Sequence, residues 1–284
     1  MSSHIPPQTP PSAEDQALVR HREALRERFP MPQPKPRKPR KTLVVGVLVL
    51  VIGAGLAWLD PSYQREQYIS ALGERRVVEL ADGSQVEMDS GTRLQVSWHV
   101  RSRRVELQQG QALFEVSKAV VRPFRVQAGG AQVSVLGTRF NVLRGDDMVD
   151  VALLRGRVAV QSSADPAQRT HLAPGQQVRV SHGQLQAVAT ADLARITAWQ
   201  QQRLVFARTP LAEALAQIQR YRIGAIRLDS QSLADLPISG TFNTRNVDEL
   251  LDLLPRILPL SLRREADGSV HIGPRAEKNS SPRG

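Results

Sequence analysis

One long apolar segment stands out against the rest of the chain. Residues 43–59 read LVVGVLVLVIGAGLAWL and contain no charged residue, with Lys41 before them and Asp60-Pro61 after them. An α-helix of this length would be about 26 Å long at ~1.5 Å per residue. This is close to the ~30 Å thickness of a bilayer's hydrocarbon core. The pattern therefore predicts a single transmembrane helix over residues 43–59.

Two other interpretations of this segment fit it less well. A signal peptide has a shorter apolar core and a short basic start, whereas 42 residues precede this segment. A buried helix of a soluble core would show a polar face, which this segment does not have. Five basic residues directly before it predict that residues 1–42 form a cytoplasmic tail. They are Lys35, Arg37, Lys38, Arg40 and Lys41.

The predicted tail contains one helical pattern. Ser12 is a plausible N-cap, followed by two acids in the first turn. The apolar residues at roughly helical spacing are Leu18, Val19, Leu25 and Phe29. Such a short amphipathic helix is marginal in water unless it packs on something. It is therefore either part of a solvated spacer or a docking helix for a cytoplasmic protein through Leu18, Leu25 and Phe29. Residues 1–12 are predicted to be disordered and residues 30–39 to be an extended proline and basic linker.

After the apolar segment, hydrophobic and polar residues alternate in short runs, which glycine-containing turns separate. Examples are Leu94-x-Val96-x-Trp98 and Val149-x-Val151-x-Leu153, with turns at Asp82-Gly83 and Gly129-Gly130. The pattern predicts an all-β domain over residues 70–183. Val-Glu-Leu followed by two residues and a glycine occurs at 78–83 and again at 105–110. This repetition favours stacked β-hairpins, with a solenoid-like arrangement as one option.

Residues 192–274 show a mixed pattern, which predicts a small α+β domain with the order β-α-β-β-α-β-β. Thr209-Pro210 is the predicted N-cap and first turn of one helix. Its apolar positions are Leu211, Ala214, Leu215 and Ile218. Asn246 and Glu249 have capping-box spacing before a second helix, which Pro255 is expected to stop. Asp267-Gly268 predicts a final hairpin.

Composition excludes several classes of function. The 284 residues allow about two domains. The absence of cysteine excludes disulfides, Cys-ligated zinc and thiol catalysis. The net charge is +11, of which residues 1–42 carry +5, from nine Lys/Arg and four Asp/Glu. The remaining surplus is dilute and forms no basic stripe, so no direct binding of nucleic acid is predicted.

No enzyme motif accompanies this pattern. The six histidines are scattered, and no metalloprotease, nucleophile-elbow or phosphate-loop motif occurs. We therefore predict no enzymatic activity, cofactor or metal. One peptide bond is a candidate for self-cleavage, because the Thr138 hydroxyl could attack the carbonyl of Gly137 and form an ester that water hydrolyses. Alternatively, Gly137 makes a tight turn that Thr138 caps, which is the simpler interpretation.

Several motifs of the predicted β-domain resemble the FecR family of bacterial signalling regulators, in the family's order and at compatible spacing. They are Gly73-Glu74-Arg75-Arg76, Leu80-Ala81-Asp82-Gly83-Ser84, Ser90-Gly91-Thr92, Arg122-Pro123-Phe124-Arg125-Val126, Val135-Leu136-Gly137-Thr138-Arg139-Phe140-Asn141-Val142 and Leu172-Ala173-Pro174-Gly175-Gln176. Residues 192–274 resemble the short domain at the N-termini of secretins and TonB-dependent transducers, with which FecR-family proteins end. Its matching motifs are Trp199, Arg203-Leu204-Val205-Phe206, Thr209-Pro210-Leu211, Arg220-Tyr221 and Ser239-Gly240-Thr241-Phe242.

The resemblance implies a single-pass regulator in the bacterial inner membrane, acting as an inhibitor or activator of an extracytoplasmic-function sigma factor. Its tail would contact the sigma factor in the cytoplasm. Its C-terminal domain would contact, in the periplasm, the signalling domain of a TonB-dependent transducer that senses a siderophore or haem. An intramembrane protease is a further implied partner. Arg220, Tyr221 and Phe242 are the candidate periplasmic contacts, although Tyr221 and Phe242 fit the small domain's core equally well.

The tail departs from the family pattern. Most relatives carry a cytoplasmic region of roughly twice its length with a tryptophan, whereas residues 1–42 contain none. The tail is therefore a minimal activator segment or engages a different cytoplasmic partner. The alternative function is a membrane-anchored periplasmic scaffold or envelope-assembly adaptor, for which the tail is only a spacer.

Overall fold

The computed structural model describes residues 12–29 and 40–275. The chain divides into two compact units, residues 1–54 and residues 55–284, and we describe each by itself. The predicted linker over residues 30–39 and almost all of the segment predicted to be disordered lie outside the described residues.

The first unit contains helix α1 (Ala13–Arg28) and most of helix α2 (Arg40–Leu59). The Gln16 N–H donates to the Ser12 carbonyl at 3.0 Å, so α1 begins where the N-cap pattern predicts. Among the described residues, no helix has both the length and the apolar character needed to cross a membrane. The predicted transmembrane helix is therefore not confirmed.

The second unit begins with a β-rich domain of fourteen strands. Their bounds are β1 (Ser62–Ile69), β2 (Arg76–Glu79), β3 (Gln85–Met88), β4 (Arg93–His99), β5 (Arg103–Glu115), β6 (Phe124–Ala128), β7 (Ala131–Val135), β8 (Arg139–Arg144), β9 (Met148–Arg155), β10 (Val158–Ser162), β11 (Arg169–Leu172), β12 (Gln176–Ser181), β13 (Gln184–Leu185) and β14 (Ala189–Thr190). The prediction of a β-domain is confirmed. Its strands extend beyond the predicted limits at both ends.

These strands form two sheets that share β5. One sheet has the order β1-β4-β5-β6-β7-β10-β11 and the other the order β2-β3-β5-β8-β9-β12, with β13 and β14 both on β12. β5 and β6 run parallel, while the other pairs are antiparallel. Hairpins between sequence neighbours occur as predicted, but they are assembled into two sheets around one core. The expectation of a solenoid-like stack is therefore wrong.

Gly110 allows β5 to serve both sheets. Residues of β5 before it pair with β4, and residues from Gly110 onward pair with β8. Gly110 has a φ of +89°, and a Cβ atom there would lie 2.5 Å from Thr92 Oγ1. Only glycine adopts this conformation without strain and allows so close an approach. Alternate residues of both sheets then meet in the core, where the Phe114 ring stacks on Phe140 at 5.1 Å.

An α+β domain follows, in the predicted order. Its elements are α3 (Leu193–Ile196), a 3-10 helix (Ala198–Gln201), β15 (Arg203–Pro210), α4 (Leu211–Gln219), β16 (Ile226–Leu228), a 3-10 helix (Gln231–Leu233), β17 (Pro237–Asn243), a 3-10 helix (Thr244–Asn246), α5 (Val247–Ile257), β18 (Leu260–Arg264) and β19 (Val270–Pro274). β15 pairs with β17, and β19 lies between β16 and β18. The four predicted apolar positions of α4 are all buried in the core of this domain.

Three local predictions for this domain need correction. The N-cap of α4 is Pro210, and the Thr209 hydroxyl instead accepts from the Ala207 N–H at 3.3 Å. Asn246 is the N-cap of α5, but its side chain donates to Glu249 and caps no backbone N–H. Pro255 lies inside α5, because the helix continues after it and the Leu258 N–H donates to the Leu254 carbonyl.

Candidate functional site

The two domains of the second unit meet through a group of polar side chains, which we call the domain junction. The β-rich domain contributes Glu87, Asp89, Ser90 and Gln111, and the α+β domain contributes Gln200, Arg220 and Tyr221. The buried face of α4 packs into its own domain. Arg220 and Tyr221, which follow directly after α4, therefore lie at the edge of that core and reach the β-rich domain.

A buried hydrogen bond is at the centre of the junction. The Tyr221 hydroxyl donates to Asp89 Oδ2 at 2.7 Å, and Asp89 and Tyr221 are 4% and 8% exposed. The Arg220 guanidinium lies 3.9 Å from the same carboxylate oxygen and donates to Gln111 Oε1 at 2.6 Å. The Ser90 hydroxyl donates to the Arg220 carbonyl at 2.6 Å. These bonds join residues more than a hundred positions apart in the chain.

Burial determines the protonation of this group. It raises the pKa of the Asp89 carboxyl, and the positive charge of Arg220 and the donors Tyr221 and Ser90 only partly offset it. Burial and the neighbouring Asp89 also raise the pKa of Tyr221, which keeps its hydroxyl protonated as a donor. A carboxyl group with this little water around it depends strongly on each remaining hydrogen-bond partner.

The connection to β15 supplies the second part of the junction. Gln111 Nε2 donates to Asn141 Oδ1 at 3.1 Å and to the Ile196 carbonyl at 3.3 Å. Gln200 Nε2 donates to Glu87 Oε2 at 2.7 Å, and the Arg75 guanidinium donates to the Gln200 carbonyl. The junction thus contains several directed polar contacts between the two domains.

A cleft of about 400 Å³ lies beside the junction, between the two domains. Its lining includes Asp150, Arg179, Trp199, Arg208, Glu213 and Arg220. Arg179 donates to both oxygens of Asp150, at 2.7 and 2.8 Å. Within the described residues, no three potential metal ligands come together. The ion pair between Arg179 and Asp150 neutralises part of the charge of the cleft lining.

Part of the β-rich domain matches a known protein family. Residues 66–159, from β1 to β10, match the family model described as FecR protein. This match identifies a FecR domain within the chain. The matched FecR domain supplies the Asp89 and Gln111 side of the junction.

Solved structures resemble more of the chain than the FecR match covers. Two crystal structures of a candidate anti-sigma factor from Parabacteroides distasonis, at 2.50 and 1.65 Å resolution, are similar to it, each with a TM-score of 0.64. Their sequences are 26% and 27% identical to it. The similarity covers 74% and 73% of this chain, and 99% and 98% of theirs. No curated protein matches the chain significantly.

Of the predicted tail contacts, Leu18 and Leu25 lie on α1 and Phe29 follows its last residue. Leu18, Leu25 and Phe29 are 61%, 45% and 72% exposed. Their spacing of seven and four residues places them on one face of the helical segment. The structure therefore leaves this apolar stripe exposed.

The predicted contacts of the α+β domain have different surroundings. Arg220 and Tyr221 make the junction to the FecR domain, and Tyr221 also belongs to the core of its own domain. Phe242, on β17, is half-buried and packs with its ring centroid 5.8 Å from that of Phe206. A Cβ atom at Gly240 would lie 2.7 Å from this ring, so glycine makes room for it.

Gly137 lies in a bend between β7 and β8 of the FecR domain, and Thr138 follows it. The buried Thr138 hydroxyl donates to the Arg157 carbonyl at 3.0 Å, and the Thr138 carbonyl accepts from the Val116 N–H at 2.9 Å. A Cβ atom at Gly137 would lie 2.5 Å from Lys118 Cγ and 2.9 Å from its Cα. This close approach explains the glycine. The threonine hydroxyl is held on a neighbouring loop and does not cap the turn at Gly137.

Sequence reasoning did not identify Asp89, Gln111 or Gln200 as site residues. Asp89 directly precedes the motif Ser90-Gly91-Thr92, but nothing local indicates its partner. The bond from Tyr221 to Asp89 spans 132 positions of the chain. Only the packing of one domain on the other brings these residues together.

Proposed function

We propose that the chain is a membrane-anchored regulator of a sigma factor, which α1 contacts in the cytoplasm. The similarity to the Parabacteroides structures carries the proposal, because those proteins are candidate anti-sigma factors. The FecR domain of the chain is consistent with the same function. The regulator works by binding: a signal received by the folded domains changes the availability of the tail.

Helix α1 supports the sigma-factor contact. It has 16 residues, a length at which an isolated helix is marginal in water. Its exposed Leu18, Leu25 and Phe29 would bury apolar surface on docking. Burying a leucine or phenylalanine side chain contributes roughly 1.5–3 kcal/mol. Three such side chains would supply part of the binding free energy, which the costs of association and of ordering the helix reduce.

Helix α2 supports the membrane anchor. It contains the uncharged residues 43–59, and its apolar side chains from Val45 to Ile52 are exposed. The basic residues before it favour a cytoplasmic tail, which leaves the FecR domain and the α+β domain in the periplasm. A reporter enzyme that is active only outside the cytoplasm, fused at the carboxyl end, should be active. Activity of a cytoplasmic reporter at the same position would contradict the anchor.

The input partner follows from the resemblance of residues 192–274 to transducer domains. A TonB-dependent transducer for a siderophore or haem would bind this domain in the periplasm. The domain junction gives such a partner a route to the FecR domain, because Arg220 and Tyr221 belong to the α+β domain but bind Asp89 and Gln111 across it. Proteolysis within the membrane would be one way to release the tail.

The test is co-purification of the full chain with the sigma factor encoded beside it, together with transcription from that factor's promoter. Leu18→Gln with Leu25→Gln should reduce both signals, because the apolar stripe is removed while helix propensity is kept. Arg20→Gln with Glu27→Gln changes the opposite face and is the matched control. Equal signals from the two double variants, or no co-purification of the unaltered chain, would refute the proposal.

A further inference from the structure

Two loops of the FecR domain carry valines that are exposed to an unusual degree. Val100, in the loop between β4 and β5, is 63% exposed. Val120 and Val121, in the loop between β5 and β6, are 86% and 90% exposed. Single exposed apolar residues are ordinary, but adjacent ones on neighbouring loops mark a contact surface. We call residues 99–102 and 118–122 the loop rim.

The rim is fastened to the end of helix α2. Asp60 follows Leu59, the last residue of α2, and has a φ of +44°. Asp60 Oδ1 accepts from the Arg101 N–H at 2.8 Å, and Oδ2 accepts from the Ser102 hydroxyl at 2.7 Å and from Arg104 at 3.2 Å. No residue intervenes between the helix and this joint. The first loop is therefore bonded to the residue that directly follows α2.

Charge stabilises the joint. Burial acts to raise the pKa of Asp60, but the donors Ser102 and Arg101 and the positive charges nearby outweigh it and lower that pKa. Asp60 is therefore ionised at neutral pH and accepts these hydrogen bonds in its stronger, charged form.

Arg122 connects the second loop to the first. Its Nη2 donates to the His99 carbonyl at 2.7 Å and lies 3.4 Å from the Tyr63 hydroxyl. The Arg122 carbonyl accepts from Arg103 Nε at 3.1 Å. The exposed valines of both loops thus lie on segments that are bonded to each other and, through Asp60, to the helix end.

We propose that Val100, Val120 and Val121 enter the interfacial layer of the bilayer in which α2 is anchored. The inference rests on the proposed anchor. Lipid is the occupant that the surroundings favour: Trp58 and Tyr63, both exposed, lie on either side of the joint, and such aromatic residues concentrate at membrane interfaces. The rim also carries the exposed Lys118, whose charge matches lipid phosphates.

A second attachment would have a mechanical consequence. A helix alone would leave the FecR domain free to rotate about its anchor. Insertion of the rim would fix the orientation of the domain to the membrane. The α+β domain, held by the junction, would then be presented to the periplasm in one orientation. The rim would thus favour capture of the input partner from one direction.

The absence of cysteine allows a direct test. Full chains carrying Val121→Cys, Val49→Cys or Ile223→Cys are labelled with an environment-sensitive fluorophore. Each is reconstituted in vesicles of phosphatidylethanolamine and phosphatidylglycerol, with or without a lipid that carries a nitroxide quencher, placed at shallow depth for the Val121 and Ile223 labels and deep in the acyl chain for the Val49 label. We expect a blue shift and strong quenching at Val121. Ile223, 93% exposed on the α+β domain, is the control that should remain unquenched. Val49 lies within α2 and reports on the anchor.

The three labels separate the two proposals. Quenching at Val49 but not at Val121 overturns the lipid-facing rim and leaves the anchor intact, and would mean that another surface covers the valines. Quenching at neither position overturns both proposals. Quenching at Val121 but not at Val49 supports the rim and refutes the anchor. Equal quenching at Val121 and Ile223 overturns the rim, because the contact would then not be specific to these loops.

Discussion

Removing one oxygen atom from the domain junction should weaken it measurably. Tyr221→Phe deletes the hydroxyl that donates to Asp89 Oδ2 at 2.7 Å and keeps the ring in the core of the α+β domain. The substitution creates no steric conflict, because phenylalanine is the smaller side chain. It leaves a buried carboxylate with one donor fewer.

The size of the effect follows from the burial of the acceptor. A hydrogen bond to a charged group contributes about 1.5–3 kcal/mol, and an acceptor left unpaired in the interior adds its desolvation cost. Asp89 keeps the Ser90 backbone donor and Arg220 at 3.9 Å, so we expect a value within this range. Because 1.4 kcal/mol is a tenfold change in an equilibrium constant, junction opening should increase roughly 10- to 100-fold.

Urea unfolding monitored by tryptophan fluorescence is the assay. Trp199 is buried beside the junction and Trp98 is buried in the FecR domain. Loss of the junction should change the Trp199 signal at a lower urea concentration. Tyr68→Phe is the matched control, since its hydroxyl bonds Glu66 on the same strand, at the edge of the sheet. Because Tyr68 is only half-buried and keeps its ring against the core, this change should alter the free energy of unfolding by less than ~0.5 kcal/mol.

A double-mutant cycle with Asp89→Asn decides whether the two side chains act together. Residues in one hydrogen-bond network show coupling energies of roughly 0.5–3 kcal/mol. Equal effects of Tyr221→Phe and Tyr68→Phe, together with additivity between Tyr221→Phe and Asp89→Asn, would refute this account of the junction.

Three further predictions follow. The pKa of the Asp89 carboxyl is raised in the folded chain. Its contribution to stability is therefore complete below the unfolded pKa near 3.8 and is lost as the pH rises through the folded pKa. Urea midpoints measured across pH should show this decline, and Asp89→Asn should remove it; an unchanged pH dependence in the variant would contradict the raised pKa of Asp89. Gly110→Ala should destabilise the FecR domain by roughly 3 kcal/mol or more, because its Cβ atom would lie 2.8 Å from Thr92 Cα at a φ of +89°. Gly73→Ala, at a φ of +73° in open space, should cost only the roughly 1–2 kcal/mol of backbone strain, so equal urea midpoints would refute the packing argument. Thr138→Val should lower the free energy of unfolding by about 1 kcal/mol in the same assay, because it removes the hydrogen bond to the Arg157 carbonyl. An immunoblot that shows two fragments from the unaltered chain and one intact chain from the variant would instead assign Thr138 to self-cleavage.

Local patterns in the sequence determined the type of most elements. The spacing of Leu211, Ala214, Leu215 and Ile218 predicted the buried face of α4, and Asp267-Gly268 predicted the hairpin of β18 and β19. Both signals depend on residues within a turn or two of each other. The family motifs likewise predicted the β-rich domain, because each motif is a short contiguous segment.

Tertiary packing decided what these local patterns do not contain. The sequence shows short strands, but β5 serves two sheets only because Gly110 lets it pass over Thr92. Pro255 predicted a helix end, yet α5 continues past it, with Leu250, Leu251 and Leu254 in the domain core. The burial of that leucine face outweighs one lost backbone bond near the helix end. Asp89 and Tyr221 pair across 132 positions because two folded domains meet there, and a hydrogen bond of this range depends on three-dimensional placement that no local spacing encodes.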